Sequence, residues 1–360
     1  MSSILYYITG HGYGHAVRSH QVIRALASSR PDLRLYVRTT APEWLFHNAP
    51  APVHHSRQAI DVGIVQQDGL RMDLRKTLAA CQKIYDDSEN IIEREKAFVR
   101  EHGISLIIGD TPPICFEIAA RAGIPSISIT NFTWDVIYRA YLKGYPGFRS
   151  LVDRMAAFYQ RTTLALTLPY PCDPSMFPCR EAIPWVTRES SLTRAQARRQ
   201  FGLPENATIV LLSFGGLGLD RLPLAKLNGQ CEFLFVTTGK SRKRNSNLLI
   251  LPEPQSRYED LVRAVDVIVT KPGYGIVADA LAHQVPILYT DRDVFPEYPR
   301  LVEALDDCAT AEFIPQDDLL TGKLDSHLQR LLSKAAHWPQ IELNGAPIAA
   351  QRILSMLDDH

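Results

Sequence analysis

Residues 6–26 read YYITGHGYGHAVRSHQVIRAL. An apolar run precedes Gly10, Gly12 and Gly14, and a helical pattern follows them. Strand, glycine turn, helix is the opening of an open parallel sheet. A dinucleotide loop would place its third glycine at residue 15. That residue is His15, and His11 stands inside the same loop. Nor does an acid follow the next strand, DLRLYVRT, which runs into threonines. The stretch therefore predicts a strand-end loop whose glycines allow close approach and whose imidazoles can do chemistry. The competing reading of His15 is a histidine that caps its own helix.

The alternation continues outward. TLAACQKIYDDSENIIEREKAFVREH (77–102) has the period of one long amphipathic helix and leads into the strand ISLIIGD, which ends at Asp110. PPICFEIAARAG starts with proline and stops at glycine, as a helix does, and IPSISIT is the next strand. Residues 169–190 hold five prolines and little periodicity, and read as a linker. After it, ATIVLLSFGG, CEFLFVTTG, NLLILPE, VDVIVTKPGYG and VPILYTD read as strands running into turns or loops. APIAAQRILSMLDD is a closing helix. Two doubly wound α/β domains follow, at 1–168 and 191–344, facing each other over a cleft.

At 360 residues the chain exceeds one average core, and 46% apolar with 22% charged residues is ordinary for a globular protein. Lys plus Arg equals Asp plus Glu at 39 each, so no global field favours nucleic acid or an anionic membrane. No apolar run is long enough to span a bilayer, and no leader pattern opens the chain. Cys81, Cys115, Cys172, Cys179, Cys231 and Cys308 contain no C-x-x-C pair. The expectation is a cytoplasmic protein with reduced thiols and no stable membrane insertion. The sequons at Asn131 and Asn206 are then accidental, and GKSRKRN (239–245) is a solvated loop.

Ligands in open parallel sheets bind beyond the carboxyl ends of the strands. That rule selects six loops: TGHGYGH (9–15), GDTPP (109–113), TNFTWD (130–135), SFGGLG (213–218), TKPGYG (270–275) and YTDRDVFPEY (289–298). Adjacent Gly215 and Gly216 can form an anion nest. Gly273 and Gly275 open a helix whose amides can take a diphosphate, with Lys271 and Tyr274 beside them and Asp279 one turn in for ribose hydroxyls. TDRD (290–293) looks like a D-x-D metal motif, but Asp293 and Glu297 are read as hydrogen-bonding groups for sugar hydroxyls, with no metal site.

Together these features resemble glycosyltransferases of the GT-B fold. GHGYGH is similar to the histidine-ending glycine loop of family 28, the lipid II N-acetylglucosaminyltransferase group. A narrower likeness is to the glycosyltransferase-like amino-terminal half of plant L-arabinokinases. It is carried by YYITGHGYGHAVR, TNFTWDVIY, SFGG, KPGYGIVADAL, RDVFPEYPRL and NGAPIAAQRIL, in that order. The resemblance implies an acceptor-binding first domain, a donor-binding second domain, and a helix at 345–360 crossing back to the first. It puts Gly273, Gly275 and Asp279 by the donor nucleotide, and Arg292, Asp293 and Glu297 by the donor sugar. Asp279 stands where the family has glutamate. On the acceptor side lie His11, Gly12, Gly14, His15, Arg18, Asp110, Asn131, Trp134 and Asp135.

The implied reaction is inverting transfer of a sugar from a nucleotide diphosphate, UDP-linked, to an acceptor hydroxyl or amine. No metal and no cofactor beyond that co-substrate are required. A base must face the acceptor. His15 is the first candidate, His11 the next, and Asp110 the orienter or alternative base. A non-catalytic sugar-nucleotide binding module and a nucleotide-sugar epimerase are the rival readings. The sequence leaves the donor, the acceptor and the oligomeric state open.

Overall fold

A computed structural model describes residues 2–47, 49–67, 71–215, 232–253, 257–292 and 294–359. The first strand shows why a parallel sheet forms. In β1 (Ser3–Ile8) Ile4, Tyr6 and Ile8 enter one apolar cluster, while Leu5 and Tyr7 enter another. Alternate side chains of a strand point to opposite faces, so a strand apolar at both sets must be covered on both sides. Strand β8 (Thr208–Ser213) repeats the device, with Ile209 and Leu211 on one face and Val210 and Leu212 on the other.

The first sheet is formed by β1, β2 (Arg34–Thr39), β3 (Val53–Arg57), β4 (Ile104–Asp110), β5 (Ser126–Thr130), β6 (Leu164–Thr167) and β7 (Arg180–Ala182). Its order is β3-β2-β1-β4-β5-β6-β7, all parallel. The second contains β8, β9 (Phe233–Gly239), β10 (Lys243–Arg244), β11 (Leu248–Pro252), β12 (Val267–Thr270), β13 (Ile287–Tyr289) and β14 (Ala311–Phe313). Its order is β10-β11-β9-β8-β12-β13-β14, parallel except for the β10–β11 pair. Each order reverses once, between β1 and β4 and between β8 and β12. Those crevices are where strand-end loops diverge and ligands fit.

Two local readings change. Residues 77–102 form two helices, Leu74–Asp86 and Ser88–Glu101, rather than one. Ser88 Oγ donates to the Tyr85 carbonyl at 2.7 Å and Asn90 Nδ2 to Asp87 Oδ1 at 2.7 Å. The Ser88 bond competes with the helical ladder for a backbone carbonyl, and the helix breaks at Asp87. The proline-rich stretch 169–190 also contributes the short edge strand β7, whose N–H groups pair with β6 despite the surrounding prolines.

The last helix, Gly345–Asp358, packs on the Tyr13–Ser29 helix that follows β1. Arg30 pairs both carboxylate oxygens of Asp358 at 2.7 Å, and Arg352 reaches Glu181 in β7 at 2.9 Å. One apolar cluster runs from the first sheet through Trp185 and Val186 to the last helix and the second sheet. Among the described residues no helix is long and apolar enough to cross a membrane. The five described cysteines, Cys81, Cys115, Cys172, Cys179 and Cys308, are unbridged; Cys231 lies outside the described residues.

The last helix can start where it does because Gly345 has no side chain. A Cβ there would lie 2.2 Å from the Pro184 carbonyl oxygen. Gly345→Ala should lower the urea midpoint, with a loss of about 1–3 kcal/mol as for other overpacked sites. An unchanged midpoint would show that the contact is not required.

Candidate active site

The loop after β1 and the loop after β4 meet at the first crevice. Gly12 precedes the helix with φ +72°, a conformation that favours glycine, and Gly10 is packed so that a Cβ would overlap Thr40 Oγ1. The first turn of this helix carries His15, and the next carries Arg18 and Ser19. All three point at Asp110, which ends β4 and is fully buried. His15 Nδ1 lies 2.8 Å from Asp110 Oδ1. Arg18 grips the same carboxylate at both oxygens, Nη2 to Oδ1 at 2.6 Å and Nε to Oδ2 at 2.8 Å. Ser19 Oγ donates to Oδ2 at 2.8 Å and Thr111 Oγ1 to Oδ1 at 3.1 Å.

Burial alone would raise the Asp110 carboxyl, but Arg18, His15 and their hydrogen bonds hold it well below the usual carboxylate range. A carboxylate that accepts this many bonds stays charged. His15 Nδ1–H donating to it leaves Nε2 with a lone pair, and among the described residues Nε2 has no hydrogen-bond partner. Thr111 adopts φ +86°, unusual for a β-branched residue, and its carbonyl accepts from Tyr159 Oη at 2.6 Å.

His11 is different. Its Nδ1 accepts from the Ile64 N–H at 3.2 Å, so the ring proton sits on Nε2. Burial, then the nearby His15, Arg292 and Lys271 charges, push its pKa well below the ordinary value. His11 is thus a neutral donor in this arrangement. Gly63 lets the ring sit there, because its φ is +67° and a Cβ would lie 2.6 Å from His11 Cβ. Trp134 is fully buried and donates Nε1–H to Asp61 Oδ2 at 2.8 Å. Burial raises Asp61 against the opposing bonds from Thr9 and Trp134.

The second sheet approaches from the other side. Asn131 donates Nδ2–H to Glu297 Oε1 at 2.7 Å, and Arg292 Nη1 is 4.0 Å from Glu297 Oε2. Phe295 enters the first domain's aromatic group, 6.2 Å from the His11 ring centroid and 5.9 Å from that of Phe132, with Arg292 4.0 Å above its own ring. Helix Tyr274–His283 follows β12 and begins against the first helix, where a Cβ on Gly275 would stand 3.5 Å from Gly14 Cα. Tyr274 stacks on Trp185 at 4.9 Å and lies under Arg18 at 5.1 Å. Gly273 has open space where a side chain would project, and Gly215 takes φ +74°.

His11, His15, Arg18, Asp110 and Asn131 therefore converge with Glu297, Arg292 and Tyr274. Two expected residues lie apart. Asp279 is 1% exposed and paired with Arg188, whose Nε donates to Oδ1 at 3.1 Å, so its carboxylate is already occupied. Asp135 is buried away from the cluster, 3.7 Å from Arg139, and burial raises its carboxyl. Gly216 and Asp293 fall outside the described residues. Sequence reasoning missed Ser19, Asp61, Gly63, Thr111, Arg188 and Phe295. Phe295 lay inside a quoted loop, but nothing in single-chain spacing reveals that Arg188 faces Asp279.

The architecture is that of the GT-B class of glycosyltransferases, two parallel-dominated sheets with their strand-end loops opposed. Residues 2–169 match the family model of glycosyl transferase family 1. Over 354 residues the chain is 31% identical to L-arabinokinase of Arabidopsis thaliana, covering 96% of this chain and 33% of that protein. The chain thus spans about a third of that relative's length. The glycotransferase of kitacinnamycin superposes with a TM-score of 0.62 at 17% identity, covering 99% of this chain and 94% of that one. Acinetobacter baumannii MurG gives 0.54 at 15%, with both chains fully covered. Phytolacca americana UGT2, complexed with UDP-2fluoro-glucose and pterostilbene, gives 0.62 at 12%, covering 99% and 94%.

The Asp110 cluster makes a pH-dependent prediction. Asp110→Asn leaves Arg18 buried without its main counterion and should cost about 3–5 kcal/mol at pH 7. Because the folded carboxyl is depressed, its stabilisation is full above the unfolded value near ~3.9 and is lost as pH falls through the folded one. Urea titrations of both proteins should therefore show a gap that is constant down to about pH 5 and narrows below about pH 4. A gap that widens on acidification would contradict the assignment.

Proposed function

We propose that the chain transfers a sugar from a UDP-linked donor to an acceptor hydroxyl or amine, with inversion and without a metal ion. The observation that carries this is the His15–Asp110 pair at the β1/β4 crevice, held facing the amino end of helix Tyr274–His283. The acceptor oxygen or nitrogen forms a bond to the anomeric carbon from one face. The bond from that carbon to the diphosphate oxygen breaks on the other, and its electron pair leaves with the diphosphate. His15 Nε2 takes the acceptor proton, and Asp110 steadies the imidazolium.

On the donor side, the helix amino end at Gly273, the Gly215 turn and Lys271 offer positive potential to the leaving diphosphate. Arg292 and Glu297 are suited to the sugar. The UDP-2fluoro-glucose bound by Phytolacca americana UGT2 and the UDP bound by the Siraitia grosvenorii transferase support a uridine donor. His11, as a neutral donor, is suited to hold the acceptor with Gly12, Gly14 and Trp134, while Asp279 would meet a ribose only after Arg188 releases it. A cytoplasmic setting accords with this donor.

One observation favours a second reading, a sugar-nucleotide binding module. The chain corresponds to only a third of a relative named for kinase activity, and such a portion can serve another catalytic unit.

The test is a panel of nucleotide sugars with candidate acceptors. His15→Ala should reduce UDP release and transfer by about 10²–10⁴-fold, the usual worth of a general base, with donor affinity within a few fold. Unchanged turnover removes His15 as base. Saturable binding with no UDP release favours the module, and a changed sugar in the product favours the epimerase. Turnover abolished by EDTA would refute metal independence.

A further inference from the structure

The geometry points to a proton-position switch: Glu297, acting through Asn131 and Arg18, sets which ring nitrogen of His15 carries the proton. Two groups contest His15 Nδ1. Asp110 Oδ1 lies 2.8 Å from it and can only accept, while Arg18 Nη2 lies 3.0 Å from it and can only donate. Thr111 Oγ1, at 3.2 Å, can do either. If Nδ1–H donates to Asp110, Nε2 keeps the lone pair that a base needs. If Nδ1 accepts from Arg18, Nε2 carries the proton and has no basic lone pair.

The outcome depends on how the Arg18 guanidinium is held. Its Nε and Nη2 lie along the two Asp110 oxygens, and Nη1 donates to Asn131 Oδ1 at 2.7 Å. With Nη1 anchored, the fork stays aligned on Asp110 and the imidazole N–H can share Oδ1. The orientation of Asn131 is in turn fixed by its neighbours. A guanidinium can only donate and a carboxylate can only accept, so the amide oxygen must face Arg18 and the amide nitrogen Glu297. Asn131 is 1% exposed and Glu297 5%, so water does not readily replace either partner.

Removing Glu297 leaves the buried Asn131 amide N–H without an acceptor, a cost that draws the amide off Arg18 toward another acceptor. Nη1 then loses its acceptor, and a buried donor without a partner is costly. Rotation of the guanidinium toward His15 Nδ1 relieves that cost and moves the ring proton to Nε2. The other groups around His15 are His11, the Asp61 carboxylate and the Phe132 ring at 5.4 Å. Among the described residues, Arg18 alone touches His15 and Asp110 and also joins a hydrogen-bond chain to the second sheet's helix Glu297–Cys308. Arg18 and Asn131 are thus positioning residues, and the seating of the donor domain readies the base.

The consequence for catalysis rests on the reading of His15 as base, but the switch can be observed without turnover. Protein labelled with ¹⁵N-histidine would be followed by long-range ¹H–¹⁵N correlation at neutral pH, the His15 signals being assigned by their loss in His15→Gln. Wild type should show the Nδ1–H tautomer. Glu297→Ala and Asn131→Ala should each move the tautomer ratio toward Nε2–H by about tenfold or more, as expected for a lost hydrogen bond to a charged group. Glu303→Ala, on the same helix in a surface pair with Arg300, should leave the ratio unchanged. An Nε2–H wild type, or a ratio unmoved in both cleft variants, overturns the proposal. A ratio that shifts as expected in a protein that releases no UDP from any nucleotide sugar would instead overturn the proposed function and leave the switch standing.

Discussion

The bidentate grip of Arg18 on Asp110 is the constraint on which the cleft depends. Neither group can be left alone: both are buried, and an unpaired charge at either position would be prohibitive. Satisfying the carboxylate draws in Ser19 and Thr111, the latter with a positive φ. Satisfying the guanidinium draws in Asn131, and through it Glu297 from the other sheet. A replacement by well-packed apolar residues could be as stable. What that replacement could not supply is a fixed negative oxygen beside an imidazole.

The two sheets solve the same folding problem, and each leaves a crevice where its strand order reverses. They differ in what fills it. The first crevice holds a complete set of charged and hydrogen-bonding side chains, whereas the described part of the second is mainly backbone: the Gly215 turn and the amino end behind Gly273. That difference fits a division of labour in which one side recognises a proton and the other an anion. Backbone amides and a helix dipole suit a diphosphate because they need no change of protonation to bind it.

Strand-end logic made much of this visible in the sequence. The apolar-rich runs at β1 and β4 and the helix signals around Pro113 and Gly123 are local, so they can be read without partners. The loops that carry His15, Asp110, Asn131 and Glu297 were therefore identified together. Less visible was anything decided by two distant side chains. Asp279 was expected at a ribose because it lies one turn into the helix behind Gly273 and Gly275, yet Arg188, 91 residues earlier, occupies its carboxylate. Arg18 was expected as an acceptor contact, and its Nε, Nη1 and Nη2 bind Asp110 and Asn131 within the cluster. The break at Asp87 was missed because apolar periodicity continues across it, while the Ser88 hydroxyl competes for the Tyr85 carbonyl.

The segment between the domains links these observations. Trp185 supports the Tyr274 ring, the Val186 N–H donates to Tyr274 Oη at 3.2 Å, and Arg188 reaches Asp279 one turn further along the same helix. Residues 185–188 therefore grip helix Tyr274–His283 on two successive turns, while Tyr274 presents its ring to Arg18. Gly345 docks on the same segment through its N–H to the Trp185 carbonyl at 2.9 Å, which ties in the last helix and, through Arg30 and Asp358, the first. A displacement of the second sheet must thus pass through contacts that also hold Arg18. The position of the second sheet and the state of the Asp110 cluster are thus mechanically linked, and the connecting segment is the part that links them.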